Sequence, residues 1–226
     1  MTTDLTILNQ LIEQLQSEQD LISAERKLLL QQLADYIRNQ EGEIALNFIC
    51  THNSRRSHLA MIWAAVAADV FVLPQVQTFS GGTEATALNP RVVAALQRAG
   101  FAVENPGGAN PHYRVVYRED RPALRCWSKT WDDPANPQSN FAAIMTCSDA
   151  DENCPFIPGA NLRLALTYED PKVADIPFSD EHPDVVPPAL IADQNLWLRF
   201  RPAEVQKYDE RLREIGREIL YAFSLV

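Results

Sequence analysis

Residues 43–71 read EIALNFIC, then THNSRRS, then HLAMIWAAVAADVF. The first run is apolar and short, which predicts a buried strand over 43–50. The last run is strongly helical. Between them lies Cys50-Thr51-His52-Asn53-Ser54-Arg55-Arg56-Ser57. In a strand–loop–helix setting, such a loop can curl so that successive N–H groups face one oxyanion. The helix N-terminus adds the positive end of its dipole. Arg56 offers a bidentate fork to two oxygens. The same donors stabilise a thiolate at Cys50, and the hydroxyl of Ser57 is in reach of that sulfur. Asn53 tolerates a left-handed turn, and its amide can brace the loop. Blander readings compete: an inert cysteine at a strand end is common, and Cys-x5-Arg alone arises by chance. His52 and His58 invite a metal, but no second ligand cluster with zinc spacing accompanies them, so no metal and no cofactor are expected.

The composition narrows the class. The chain has 226 residues, 46% of them hydrophobic, which fits one domain with a core of its own. Its formal net charge of −10 argues against nucleic-acid binding, since the phosphate backbone repels such a surface. No run is apolar and long enough to span a membrane, so no membrane partner is expected. The start, MTTDLTILNQLIEQLQSEQ, lacks a basic region followed by an apolar one, so no signal peptide is expected. A cytoplasmic location follows, and its reducing chemistry makes structural disulfides among Cys50, Cys126, Cys147 and Cys154 improbable.

Apolar residues recur at helical spacing in 1–40: Ile7, Leu8, Leu11, Ile12 and Leu15, then Leu29, Leu30, Leu33, Ala34 and Ile37 after the N-cap candidate Ser23. This predicts an N-terminal helical extension, either a flap packed on the core or an arm for a partner. Further strands are expected at 75–80, closed by Gly81 and Gly82, at 141–147 and at 162–168. Asn89-Pro90 opens a helix that stops by Gly100. Residues 112–118 and 123–129 suggest a hairpin, within an inserted segment of about 106–140. A long helix is expected over 203–223. Alternating strands and helices imply an α/β fold with a central, mainly parallel four-stranded sheet flanked by helices, occupying 41–226. Such sheets bind ligands at the carboxyl ends of their strands, where Cys50, Cys147 and Asp170 are placed to converge.

The segment Phe48–Ser57 resembles the phosphate loop of the low-molecular-weight protein tyrosine phosphatase superfamily, which includes thioredoxin-coupled arsenate reductases. The resemblance continues through residues 80–91 (SGGTEATALNPR). It returns at 146–155 (TCSDADENCP) and at Glu169-Asp170-Pro171. It covers most of 43–105 and 141–224. It implies a phosphotyrosine phosphatase I-like fold and a catalytic nucleophile at Cys50. The anion would be held by Arg56 and the loop residues Thr51, His52, Asn53, Ser54, Arg55 and Ser57. Asp170 would be the general acid; without the resemblance, Asp170-Pro171 reads simply as a turn opener.

Cys147 and Cys154 are two ligands short of a zinc site. Cys147 can end a buried strand, or the pair can close a disulfide if the segment between them unwinds. Their spacing resembles the redox segment of the reductases. That implies an arsenate reductase: Cys50 attacks arsenate, Cys147 attacks Cys50 with release of arsenite, and Cys154 passes the disulfide to a thioredoxin-like reductant. The alternative is a phosphatase acting on phosphomonoesters through a phosphocysteine at Cys50, with the later thiols idle. A third class, a non-catalytic anion-binding module, stays open. Arg55 stands where the superfamily often carries a second cysteine, His52 where it has glycine, and Lys172 where phosphotyrosine enzymes present Tyr. Cys126 belongs to the insert and reads as packing.

Overall fold

The structure is a computed structural model that describes residues 5–175 and 200–226. Its frame is a parallel sheet built from β1 (Ile44–Cys50), β2 (Val76–Gly82), β6 (Phe141–Met145) and β7 (Ala160–Ala165), in the order β2-β1-β6-β7. From β1 the chain steps to one side to reach β2 and later returns on the other side as β6. The order therefore reverses between β1 and β6, and their carboxyl ends frame the crevice where ligands bind in such sheets.

Side-chain alternation sorts the two faces. Ile44, Leu46, Phe48, Ala142 and Ile144 enter the main core, while Ile49, Cys50, Phe141, Ala143 and Met145 enter a smaller one behind the sheet. The main core is closed by α3 (Arg56–Val70), α4 (Pro90–Arg98) and α6 (Pro202–Ser224). Asn89 caps α4 by accepting from the Arg91 amide at 2.9 Å, with Pro90 in its first turn.

The N-terminal helices α1 (Leu5–Ser17) and α2 (Ala24–Asn39) lie against α6. Ser23 caps α2 as its sequence position predicts. Leu8, Leu15, Leu30 and Leu33 are fully buried in the same core as α3 and α6. Each such side chain contributes roughly 1.5–3 kcal/mol, so these helices form a packed layer and not a free arm.

Three details depart from the sequence expectations. Gly81 and Gly82 do not close β2; they extend it, because the insert supplies a partner. The Gly82 amide donates to Lys129 O at 2.9 Å and the Trp131 amide to Gly82 O at 2.8 Å. A Cβ on Gly81 would lie 2.4 Å from the Cα of Trp131, so only glycine permits this approach. The expected hairpin is present as β4 (Tyr113–Val116) and β5 (Leu124–Cys126), but β3 (Ala102–Glu104) joins it as a third antiparallel strand. The strand expected at 162–168 lies over Ala160–Ala165, which puts its end five residues before Asp170. A short helix, α5 (Ser148–Asn153), follows β6 and is the segment that must unwind for Cys147 and Cys154 to pair. Among the described residues, no helix is long and apolar enough to cross a membrane. Residues 176–199, which the resemblance spans, lie outside the described residues.

Candidate active site

Cys50 is the last residue of β1, and Arg56 is the first of α3. The loop between them is held from outside through its carbonyls. Cys50 O accepts from the Thr83 amide at 3.1 Å, Thr51 O from the Glu84 amide at 2.8 Å and Ser54 O from the Asn89 amide at 3.0 Å. His52 O accepts from the hydroxyls of Ser128 at 2.8 Å and Thr86 at 3.2 Å. Asn53 is left-handed, with φ +44°, as its side chain permits. The loop, pinned through these carbonyls, leads into the N-terminus of α3, a setting that favours an anion.

The side chains of the loop divide by role. Ser57 Oγ lies 3.1 Å from Cys50 Sγ and accepts from Asn53 Nδ2 at 2.9 Å. Asn53 Oδ1 in turn accepts from the Lys129 amide at 3.0 Å, so the insert braces the loop. His52 faces outward, 3.7 Å from Glu84 Oε2. Ser54 Oγ donates to Ala87 O at 2.6 Å, which spends its hydroxyl on the loop wall. Arg55 turns to the opposite side: its Nε donates to the Tyr208 hydroxyl at 2.9 Å and its Nη2 to Asp175 at 3.3 Å. The Arg55 side chain, expected among the anion-binding groups, is instead bonded to Tyr208 and the half-buried Asp175, with its Nε 3.9 Å from Asp170 Oδ1.

Arg56 is buried beside the loop. Its Nη1 donates to Tyr168 O at 2.9 Å and its Nη2 to Asp170 Oδ2 at 2.6 Å. Its Nε is buried and has no partner among the described residues. The fork expected to meet two anion oxygens is therefore turned to Tyr168 and Asp170 here, and an unfilled donor on a buried guanidinium is costly unless an acceptor reaches it. Asp170 also accepts from the Lys172 amide at 3.0 Å, so it both opens its turn and stands against Arg56.

The second thiol is close. Cys147 is fully buried, and its sulfur lies 3.4 Å from Thr51 Oγ1. It caps α5, where the Ala150 amide reaches the same sulfur at 3.4 Å. Cys154 sits at the other end of α5 and is partly exposed. At ~1.5 Å rise per residue the two Cα atoms are roughly 10 Å apart. A disulfide needs them within about 7 Å, so α5 must unwind for the pair to close. Cys126 is buried in the main core, and burial pushes its thiol up to about 12. His58 is fully buried beneath the loop; burial first, then the Lys129 charge, lowers it to about 3, so the ring is neutral. Among the described residues, no group of three or more His, Cys, Asp or Glu side chains is arranged to hold a metal.

No protein-family model matches the chain. An arsenate reductase 2 of Staphylococcus epidermidis is 28% identical over 134 residues, which is 59% of this chain and 81% of that protein. An arsenate reductase of Staphylococcus aureus is 29% identical over 134 residues, with the same shares covered. Over those 134 residues the chain is similar to these arsenate reductases. A solved low-molecular-weight phosphotyrosine phosphatase of Vibrio cholerae aligns with 79% of this chain and 93% of its own, at 15% identity and a TM-score of 0.43.

Several contacts of the site were not legible in the sequence. Tyr168 supplies a carbonyl to Arg56, Ser128 and Lys129 brace the loop from the insert, and Tyr208 and Asp175 take up Arg55. Tyr208 carries only the signal of an apolar helix stripe. The others carry no local signal at all, because their partners are dozens of residues distant.

Proposed function

We propose that this chain is a cysteine-dependent oxyanion enzyme, an arsenate reductase with a relay through Cys50, Cys147 and Cys154. Its catalytic domain would lie within 41–226, with 1–40 as a helical extension and a cytoplasmic setting that keeps the thiols reduced. Cys50 attacks arsenate and forms a sulfur–arsenic bond while Arg56 and the loop amides hold the oxygens. Asp170 gives a proton to the departing oxygen, which leaves as water. Cys147 attacks the Cys50 sulfur. The sulfur–arsenic bond breaks, its electron pair stays on arsenic, and arsenite departs. Cys154 then attacks Cys147, frees Cys50 and leaves a Cys147–Cys154 disulfide. A thioredoxin-like dithiol donor reduces that bond. The observation that carries this reading is the contact between Cys147 Sγ and Thr51, the residue next to the nucleophile.

A second reading is favoured by the pre-assembled set of Cys50, Ser57, Arg56 and Asp170. These suffice for a phosphatase that cleaves phosphomonoesters through a phosphocysteine, without any later thiol. One pair of variants separates the two. Cys147→Ser and Cys154→Ser should each abolish thioredoxin-coupled arsenate reduction and spare hydrolysis of p-nitrophenyl phosphate; Cys50→Ser should abolish both. Wild-type protein that never reduces arsenate with thioredoxin present, but does cleave the ester, would establish the phosphatase instead.

A further inference from the structure

The turn that carries Asp170 is gripped at both ends by two consecutive arginines. A 3-10 turn, Pro171–Ala174, has Asp170 as its first flanking residue and Asp175 as its last. Arg56 holds Asp170 at 2.6 Å, and Arg55 holds Asp175 at 3.3 Å. Arg55 Nε also lies 3.9 Å from Asp170 Oδ1. The Tyr208 hydroxyl joins this grip from α6: it accepts from Arg55 Nε at 2.9 Å and donates to Asp175 Oδ2 at 2.9 Å. Arg91 of α4 approaches Asp175 Oδ1 to 3.4 Å, and Arg91 is itself tied to Glu204 at 2.8 Å.

We propose that Arg55, Tyr208 and Asp175 form a positioning unit that fixes the Asp170 turn over the anion loop and so sets where the acid delivers its proton. The proposal rests on the reading of Asp170 as general acid. Two of its three members are buried: Tyr208 is fully covered and the Arg55 side chain is 8% exposed, while Asp175 is half-buried. Burial alone would lower the Arg55 guanidinium, but Tyr208, Asp170 and Asp175 outweigh it and hold it raised, so it stays charged. Buried ion pairs of this kind are often no more stabilising than a well-packed apolar replacement. What they supply here is direction. The guanidinium is a planar fork with fixed donor angles, and it sits on the residue adjacent to Arg56. The two ends of the turn are thereby referred to one rigid point, the start of α3. A shift of about 1 Å in a proton donor can cost up to ~10²-fold in rate, so a fixed turn matters more to the acid than to binding.

The test compares two esters on the full chain. Nitrophenolate leaves p-nitrophenyl phosphate without a proton, whereas phenolate needs one to leave phenyl phosphate. Asp170→Asn should lower kcat/KM for phenyl phosphate by about 10²-fold or more and spare the nitrophenyl ester. Tyr208→Phe removes one hydroxyl at constant shape. It should lower kcat/KM for phenyl phosphate roughly tenfold, leave the nitrophenyl ester nearly unchanged, and add nothing further in an Asp170→Asn background. Arg55→Lys, which keeps the charge and loses the fork, should shift the ratio in the same direction. An equal loss on both esters in the Tyr208 and Arg55 variants, or effects that multiply with Asp170→Asn, would make the unit merely structural. An unchanged ratio in Asp170→Asn, or no cleavage of either ester by wild type, would instead remove the acid or nucleophile reading, and the proposal with it.

Discussion

The hydroxyl of Thr51 lies 3.4 Å from the sulfur of Cys147. The residue after the nucleophile therefore touches the thiol assigned to attack it, although the two are far apart in the chain. The contact exists because β1 and β6 are neighbours in the sheet and end at the same crevice. Cys147 reaches it already in place, while Cys154 is held off by the length of α5. In the proposed relay, Cys147 and Cys154 can pair only when α5 opens.

Arg163 should control that opening. Its Nε donates to Cys154 O at 3.1 Å and its Nη2 to Asp151 O at 2.6 Å, which staples the end of α5 to β7. Replacing it with Met removes charge-assisted hydrogen bonds worth about 1.5 kcal/mol, so the Cys147–Cys154 disulfide should form roughly tenfold more favourably. A redox titration against glutathione, read by thiol labelling, checks this. An Arg163→Met protein that oxidises at the same poise as wild type would show that α5 does not gate closure.

Gly82 should be intolerant of any side chain. A Cβ there would sit 2.4 Å from Glu84 O and 2.7 Å from both Asn53 N and Thr51 O. All three neighbours are backbone, so the anion loop itself must shift. Gly82→Ala should cost about 1–3 kcal/mol in urea unfolding. Inorganic phosphate should raise the Tm of the wild type by binding the folded state, and Gly82→Ala should abolish that shift. Retention of that phosphate shift would mean the loop does not form the anion site.

Alkylation should rank the thiols by environment. Cys154 is partly exposed, whereas Cys126 is buried and its thiol is pushed up to about 12. Native protein treated with limiting iodoacetamide should label Cys154 ahead of Cys126, and Cys126 should react only after denaturation. Peptide mass mapping reads the order, and early labelling of Cys126 would contradict its packing role.

His58 should make the fold acid-sensitive with a defined sign. The folded ring titrates near 3 instead of 6.5, so below about 6.5 the unfolded chain binds a proton that the folded chain refuses. Its contribution is fully present above that pH and falls by about 1.4 kcal/mol per unit as pH drops toward 3. Urea unfolding of wild type and His58→Gln between pH 7 and 4 should therefore give stability curves that converge at low pH. Parallel curves would mean that His58 titrates normally in the fold.

The loop from Cys50 to Ser57 and the first strand were legible because their signals are local: an apolar run, an asparagine able to turn, and an arginine at a helix start. The same holds for Ser23 and Asn89 as caps and for the long stripe of α6. The misses share a cause. Helix α5 is six residues long with Ala150 as its one apolar side chain, so its sequence has no period to read. Strand β3 is three residues long. Gly81 and Gly82 read as a stop, since glycine usually ends a strand, until the insert brings Trp131 against them.

Sequence by itself determined a cysteine and an arginine spaced as an anion loop requires, between a strand and a helix, with two further thiols downstream; Asp170 read as an acid only through the family resemblance. Tertiary structure alone decided which groups meet: Arg55 with Tyr208 across 153 positions, Arg56 with Asp170 across 114, and Thr51 with Cys147 across 96. Spacing along a chain limits contacts only over a turn or two of local structure. Beyond that, the order of strands in the sheet and the packing of α6 choose the partners.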